Sequence, residues 1–175
     1  AKFKVMGIKP KFRYSDIERA VNAELINIER GVLAILQRVG EEFVRDARMG
    51  IDINSGAFPK GDYTDQTANL RSSIGYFILR DGNVVTENLS GTSKGVSAAR
   101  AVLTKVGKEG YSIVGVAGME YASHLESMGY NVISSQNLNL IVDLSDRLQK
   151  FARKAGKKGL SLDFDQSFTG PNSAL

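Results

Sequence analysis

Residues 15–50 read SDIERAVNAELINIERGVLAILQRVGEEFVRDARMG, and apolar side chains recur every three or four positions along them. Ile17, Val21, Leu25, Ile28, Val32, Ile35, Val39, Phe43 and Ala47 form the row, which closes at Gly50. That spacing returns each side chain to one side of a 3.6-residue turn, so it predicts a single long amphipathic helix. Ser15 and Glu18 have capping-box spacing, in which a hydroxyl and a carboxylate satisfy amides left unpaired at a helix start. At 1.5 Å per residue the helix spans roughly 50 Å, whereas a domain of this size has a radius of gyration of about 16 Å. Part of the apolar row must then overhang the domain and needs another surface to cover it. The alternative is a break at Gly31 or Gly40 into two helices packed within one core. Glycine weakens a helix by about 1 kcal/mol without forbidding continuity.

Upstream, residues 1–14 alternate lysine with apolar side chains (Lys2, Phe3, Lys4, Val5) before Gly7 and Pro10, the pattern of an extended arm. Downstream, residues 50–66 carry Gly50, Asn54, Ser55, Gly56, Pro59, Gly61 and Asp62 with no period, and read as a long loop. Thr67 can cap one helical turn at residues 69–72. Ile74, Tyr76, Phe77, Ile78 and Leu79 then run as a strand into Asp81-Gly82-Asn83, a tight hairpin turn, with the return strand over residues 84–88. A tip at residues 89–96 and a short helix capped by Ser97 make residues 89–110 an excursion between strands. Residues 111–117, rich in Ile113, Val114 and Val116, predict a central strand. A short helix at 120–128 and a last strand at 130–133 follow. Leu138, Ile141, Leu144, Leu148, Phe151 and Ala155 then give a second amphipathic helix that stops near Gly156.

The expected fold is α+β: a small antiparallel sheet of about four strands, packed by a long N-terminal helix and a C-terminal amphipathic helix. One domain, residues 15–156, would be flanked by the arm 1–14 and by a tail, 157–175, that is expected to be mobile on its own.

Composition narrows the function classes. At 175 residues and 42% hydrophobic content the chain fits one domain with one sizeable core. Cysteine is absent, which excludes disulfides, a thiolate nucleophile and Cys-built zinc sites. No apolar run approaches the roughly 18 residues needed to span a bilayer. The start, Ala1-Lys2-Phe3-Lys4, lacks a signal peptide's apolar core, so a cytoplasmic location is expected. The net charge of +4 is concentrated at the two ends, which permits contact with nucleic acid or acidic protein surfaces and compels neither.

Candidate chemistry is sparse. Glu120 and the single histidine, His124, stand four apart on one helical face, but two ligands do not make a metal site. Asp52, Asn54 and Gly56 resemble a calcium loop in which the glycine falls early and Tyr63 replaces the bidentate glutamate. Ser90 to Gly95 has phosphate-loop composition without the spacing. Asp163 and Asp165 could pair on Mg²⁺, yet they sit on the tail, where nothing fixes their geometry. No serine lies in a G-x-S-x-G elbow. Neither a catalytic constellation nor a cofactor is expected. Arg147, Lys150, Arg153, Lys154, Lys157 and Lys158 could neutralise phosphates, though cations near a helix C-terminus also complement its dipole and form an ordinary outer face.

Two segments carry a resemblance. Thr67-Ala68-Asn69-Leu70-Arg71-Ser72-Ser73-Ile74 resembles the Thr-Gly-x-Leu-x-x-Ser-Ile element of the tail-completion and head-tail connector proteins of tailed bacteriophages. In that family the element enters the sheet after a long N-terminal helix. Val114-Gly115-Val116 followed by Tyr121-Ala122-Ser123-His124-Leu125-Glu126 is similar to the family's strand and its Tyr-Ala-x-x-Val/Leu-Glu-x-Gly segment. The order agrees over residues 15–155. Ala68 stands for the usual Gly, Ser127-Met128 places one extra residue before Gly129, and Tyr130 replaces a frequent Thr.

The resemblance implies a virion structural protein rather than an enzyme: a ring at the phage neck or tail terminus, assembled in the host cytoplasm. Its partners would be further copies of itself, neighbouring neck, portal-adaptor or tail proteins, and DNA passing through the lumen without sequence-specific binding; no membrane is involved. Leu70 and Ile74 would anchor the turn capped by Thr67, and Tyr121 and Leu125 would pack the short helix on the sheet. Arg71, Tyr121, Glu126, Lys94, Arg147 and Lys150 are the candidate interface residues. Two rival readings remain: a basic nucleic-acid-binding module, and a small hydrolase or metal-dependent enzyme using His124.

Overall fold

The computed structural model describes residues 11–49, 72–118 and 134–156. Helix α1 runs unbroken over Tyr14–Met49, 36 residues, roughly 54 Å at the standard rise. It begins just ahead of the expected Ser15, and Asp16 makes the cap: its Oδ2 accepts from Arg13 N at 3.0 Å, closing the first turn from inside. Neither helical glycine breaks it. A Cβ on Gly31 would collide with the Phe151 ring, and one on Gly40 would lie 2.7 Å from the ring of Tyr76. Both glycines are sites of close approach, where a missing methyl lets an aromatic ring lie against the helix backbone.

Strands β1 (Ile74–Arg80), β2 (Asn83–Asn88) and β3 (Tyr111–Ala117) form an antiparallel sheet in the order β2-β1-β3. Among the described residues the central strand is β1, and β3, expected as a central strand, flanks it. Burial explains the order, because β1 is covered from Ile74 to Leu79 and exposed only at Arg80. The β1–β2 turn places Asp81 and Gly82 at φ 50 and 77, the positive angles that two-residue hairpins need to match strand twist. Asp81 ties that turn to β3, donating its N–H to Gly110 O at 2.8 Å and accepting Gly110 N–H on Oδ1 at 3.0 Å. In β2, Ile78 pairs with Thr86 and Leu79 with Val84, so Val85 is bulged out of register.

Alternation along β1 builds two cores. Ile74, Tyr76 and Ile78 face α1 and meet Leu36, Phe43, Val44 and Ala47, with Leu140 and Leu144 closing the cluster. Those two leucines belong to helix α3, Ser134–Gly156. Phe77 and Leu79 face the other way, against Ala99 and Val116 with Leu89, Leu103 and Val106 around them. Burying each large side chain of this kind stabilises the fold by about 1.5–3 kcal/mol.

Residues 89–110, expected as an excursion between strands, lie between β2 and β3 and build the second core. Helix α2 (Ser93–Ala101) and the 3-10 turn Val102–Lys105 form the lid on that face. Thr92, ahead of the expected Ser97, is the N-cap, its hydroxyl accepting from Gly95 N at 3.3 Å. A Cβ on Gly118 would strike the backbone of Gly95, so α2 docks backbone to backbone at the end of β3.

Three strands stand among the described residues; the expected fourth, at 130–133, lies outside them, as do residues 1–10 of the expected arm 1–14, whose Tyr14 belongs to α1, the loop 50–66, the short helix 120–128 and the tail. No helix among the described residues is long and apolar enough to cross a membrane.

Candidate assembly interface

The two halves of α1 have the same pattern and different fates. From Leu36 onward its apolar row is core: Leu36, Val39, Phe43, Val44 and Ala47 are all buried. Toward the N-terminus the same row continues through half-buried Val32 and Ile28 and then comes into the open. Ile17 is 44% exposed, Val21 52% and Leu25 46%, with Tyr14 and Ile26 exposed beside them. These side chains are spaced for burial, and among the described residues nothing buries them. Single exposed apolar residues are ordinary; an aligned row continuous with a core is less so.

The partner helix determines where cover stops. α3 packs along α1 antiparallel, with Leu140 and Leu144 in the core cluster and Phe151 over Gly31. Arg147 fixes the pairing: its guanidinium donates to Glu42 Oε2 at 2.6 Å and to Asp143 Oδ1 at 2.9 Å. The bond to Asp143 and the neighbouring Glu42 carboxylate hold the Arg147 pKa above its usual value. Five residues separate Phe151 from the end of α3, so cover by α3 ends roughly 7–8 Å beyond Gly31, level with Ile26. The thirteen positions from Tyr14 to Ile26 project past it.

A second apolar exposure lies on strand β2, the outer one among the described residues, where Val84 and the bulged Val85 are 44% and 46% exposed. The polar groups around the first core act as braces. Tyr76 donates its hydroxyl to Glu41 at 2.9 Å, and Asn88 donates to both oxygens of the same carboxylate. Burial, then the Glu41 contact, push the Tyr76 pKa far above its ordinary value, so the phenol stays a donor. Arg48 donates to Ile74 O at 2.9 Å and to Ser90 Oγ at 3.0 Å, joining α1, β1 and the entry to α2. Arg80 bridges Glu29 and stacks over Tyr111 at 5.7 Å, closing the opposite end of the sheet.

Of the sequence candidates, Arg71, Tyr121 and Glu126 lie outside the described residues, as do Glu120 and His124. Lys94 is exposed in the first turn of α2. Lys150 pairs with Asp146 one turn back on α3. Arg147 is not on an outer face: it points at α1 between two carboxylates, which leaves it poorly placed to meet a phosphate. No cluster of three or more potential metal-ligating His, Asp or Glu side chains occurs among the described residues. The sequence candidates omit Ile17, Val21 and Leu25, although the excess length of their helix was the signal for them.

A scan against protein-family models gave no match, and neither did searches of curated proteins and of solved structures.

Proposed function

We propose that this chain is a structural subunit of a tailed-phage particle, forming an oligomeric ring at the neck or tail terminus and acting by assembly. The observation that carries the reading is the row Ile17, Val21, Leu25, built to be covered and open among the described residues. Its support from sequence is the order of the motifs. The Thr67-to-Ile74 element follows a long helix, and Ile74, fully buried, opens the central strand. Val114-Gly115-Val116 lies in β3 ahead of the Tyr121-to-Glu126 segment.

Head-to-tail contacts in a ring are heterologous, so the α1 row of one copy would meet a different face of the next; β2, with Val84 and Val85 exposed, is one apolar counterpart among the described residues. A stable contact of this class buries about 800 Å² per partner. Electron microscopy of the purified protein, alone and mixed with candidate neck proteins, tests the reading. Closed rings under either condition are expected, with α1 at the subunit boundary. A chain that stays single in every mixture and enters no particle contradicts it.

A further inference from the structure

The projecting half of α1 carries charge as well as apolar side chains. Across residues 14–27, Asp16, Glu18 and Glu24 stand against a single cation, Arg19. At about 100° per residue, Ile17, Val21 and Leu25 fall within an arc of about 80°, with Glu24 at one margin and the exposed Glu18 at the other. The exposed apolar row is thus rimmed by carboxylates on both sides. Two such rows set face to face would bring like charges together, which disfavours pairing of α1 with another α1.

The same pattern with the opposite sign lies along the hairpin edge. Val84 pairs with Leu79, and Leu79 faces the second core, so Val84 lies on the α2 side of the sheet. Glu87, paired with Phe77, lies on that side too and receives Arg100 from α2 at 2.8 Å. Arg100 uses only Nη2 for Glu87, and a guanidinium has further N–H donors to offer. At the other end of β2, Lys108 lies against Gly82, its Cγ 3.3 Å from where a Cβ there would sit. Exposed Val102 opens the 3-10 turn between these two cations in the chain. Across residues 83–108, Lys94, Arg100, Lys105 and Lys108 stand against a single acid, Glu87. The edge is therefore apolar at Val84, Val85 and Val102, and basic at its ends.

We propose that the projecting half of α1 docks on this edge of a second copy of the chain, Val21 over Val84, with Glu18 toward Lys108 and Glu24 toward Arg100. The apolar centre holds the contact, and the opposite rims select the edge over a second α1 and set the register. One chain carries both halves of the match, so the contact is heterologous and repeats from copy to copy. The contact rests on the ring reading for its role in assembly, and adds to it the two faces that meet.

The chain has no cysteine, which makes disulfide trapping between copies direct. Full-length Val21→Cys is mixed with full-length Val84→Cys under mild oxidation, and as a control with Arg153→Cys, an exposed position on α3. A disulfide needs Cβ atoms within about 4.5 Å, so docking predicts 21–84 cross-links forming about tenfold faster than 21–153 cross-links. Equal rates, or 21–21 and 84–84 species as abundant as 21–84, overturn the contact. Glu18→Lys added to the Val21→Cys chain should slow the 21–84 reaction severalfold, and Lys108→Glu added to the Val84→Cys chain should restore it; an unchanged rate, or a loss without recovery, overturns the charge matching. The ring reading is decided apart from this. Rings that form without 21–84 cross-links keep that reading and overturn this contact, whereas 21–84 cross-links without rings or particles do the reverse.

Discussion

Tyr76 does three things with one side chain: its ring fills the space left by Gly40, its flank packs the first core, and its hydroxyl holds Glu41. A methyl on Gly40 would lie 2.7 Å from that ring. Gly40→Ala is therefore expected to destabilise the fold, since overpacking costs about 1–3 kcal/mol against a helix-propensity gain of about 1 kcal/mol. Gly107→Ala, with open space around it, should change stability by less than about 0.5 kcal/mol. Urea titration of the two variants checks the contrast. The same tyrosine gives a pH signature. Its folded pKa lies above the unfolded value of about 10, so its contribution is complete below that pH and is lost as pH rises toward the folded value. Tyr111 is shifted the same way by burial and Glu29. The denaturation midpoint should stay level up to about pH 10 with respect to these groups and fall above it. Tyr76→Phe should weaken the fold at neutral pH and make that alkaline fall shallower.

At the scale of elements, what the sequence disclosed depended on whether a pattern was local. The period of α1, the Asp81-Gly82 turn and the β-branched run of β3 depend on neighbours a few residues away, and each appears in the structure at or close to its expected bounds. Strand order depends on which strand is covered on both faces, a long-range fact: Phe77 and Leu79 are covered by Leu89, Ala99, Leu103 and Val106, from a stretch whose polar segment Ser90 to Gly95 looks like a surface tip when read alone. The two helical glycines were ambiguous for the same reason, because Phe151 and Tyr76 that occupy their space are distant in sequence. This yields a compensation test. Gly31→Ala should push the Phe151 ring off α1 and lower the melting temperature, and adding Phe151→Leu, which shortens the offending side chain, should restore part of the loss. If the double variant is merely the sum of the two single losses, the ring-on-glycine contact is not what joins α1 to α3.

For the whole molecule, the candidate site was legible as a mismatch of length and illegible as a set of residues. A helix of roughly 54 Å cannot be covered by one small domain, yet which half projects depends on where α3 stops, and this only the Phe151–Gly31 contact locates. Charged residues drew attention as interface candidates, whereas Arg147 and Lys150 are engaged by carboxylates within the subunit. Replacing Arg147 with Met should therefore read out in stability, by about 1 kcal/mol for such a partly exposed pair, and leave DNA affinity in low salt unchanged.

The projecting row carries the account. Val21→Asp with Leu25→Asp places two charges on positions about half exposed, where substitutions change stability little, so folding and assembly can be read separately. Sedimentation and electron microscopy of this variant, with candidate neck partners, are the direct measurement. The account predicts a wild-type melting temperature and no rings or particle incorporation; rings formed as readily as by the wild-type chain would contradict it.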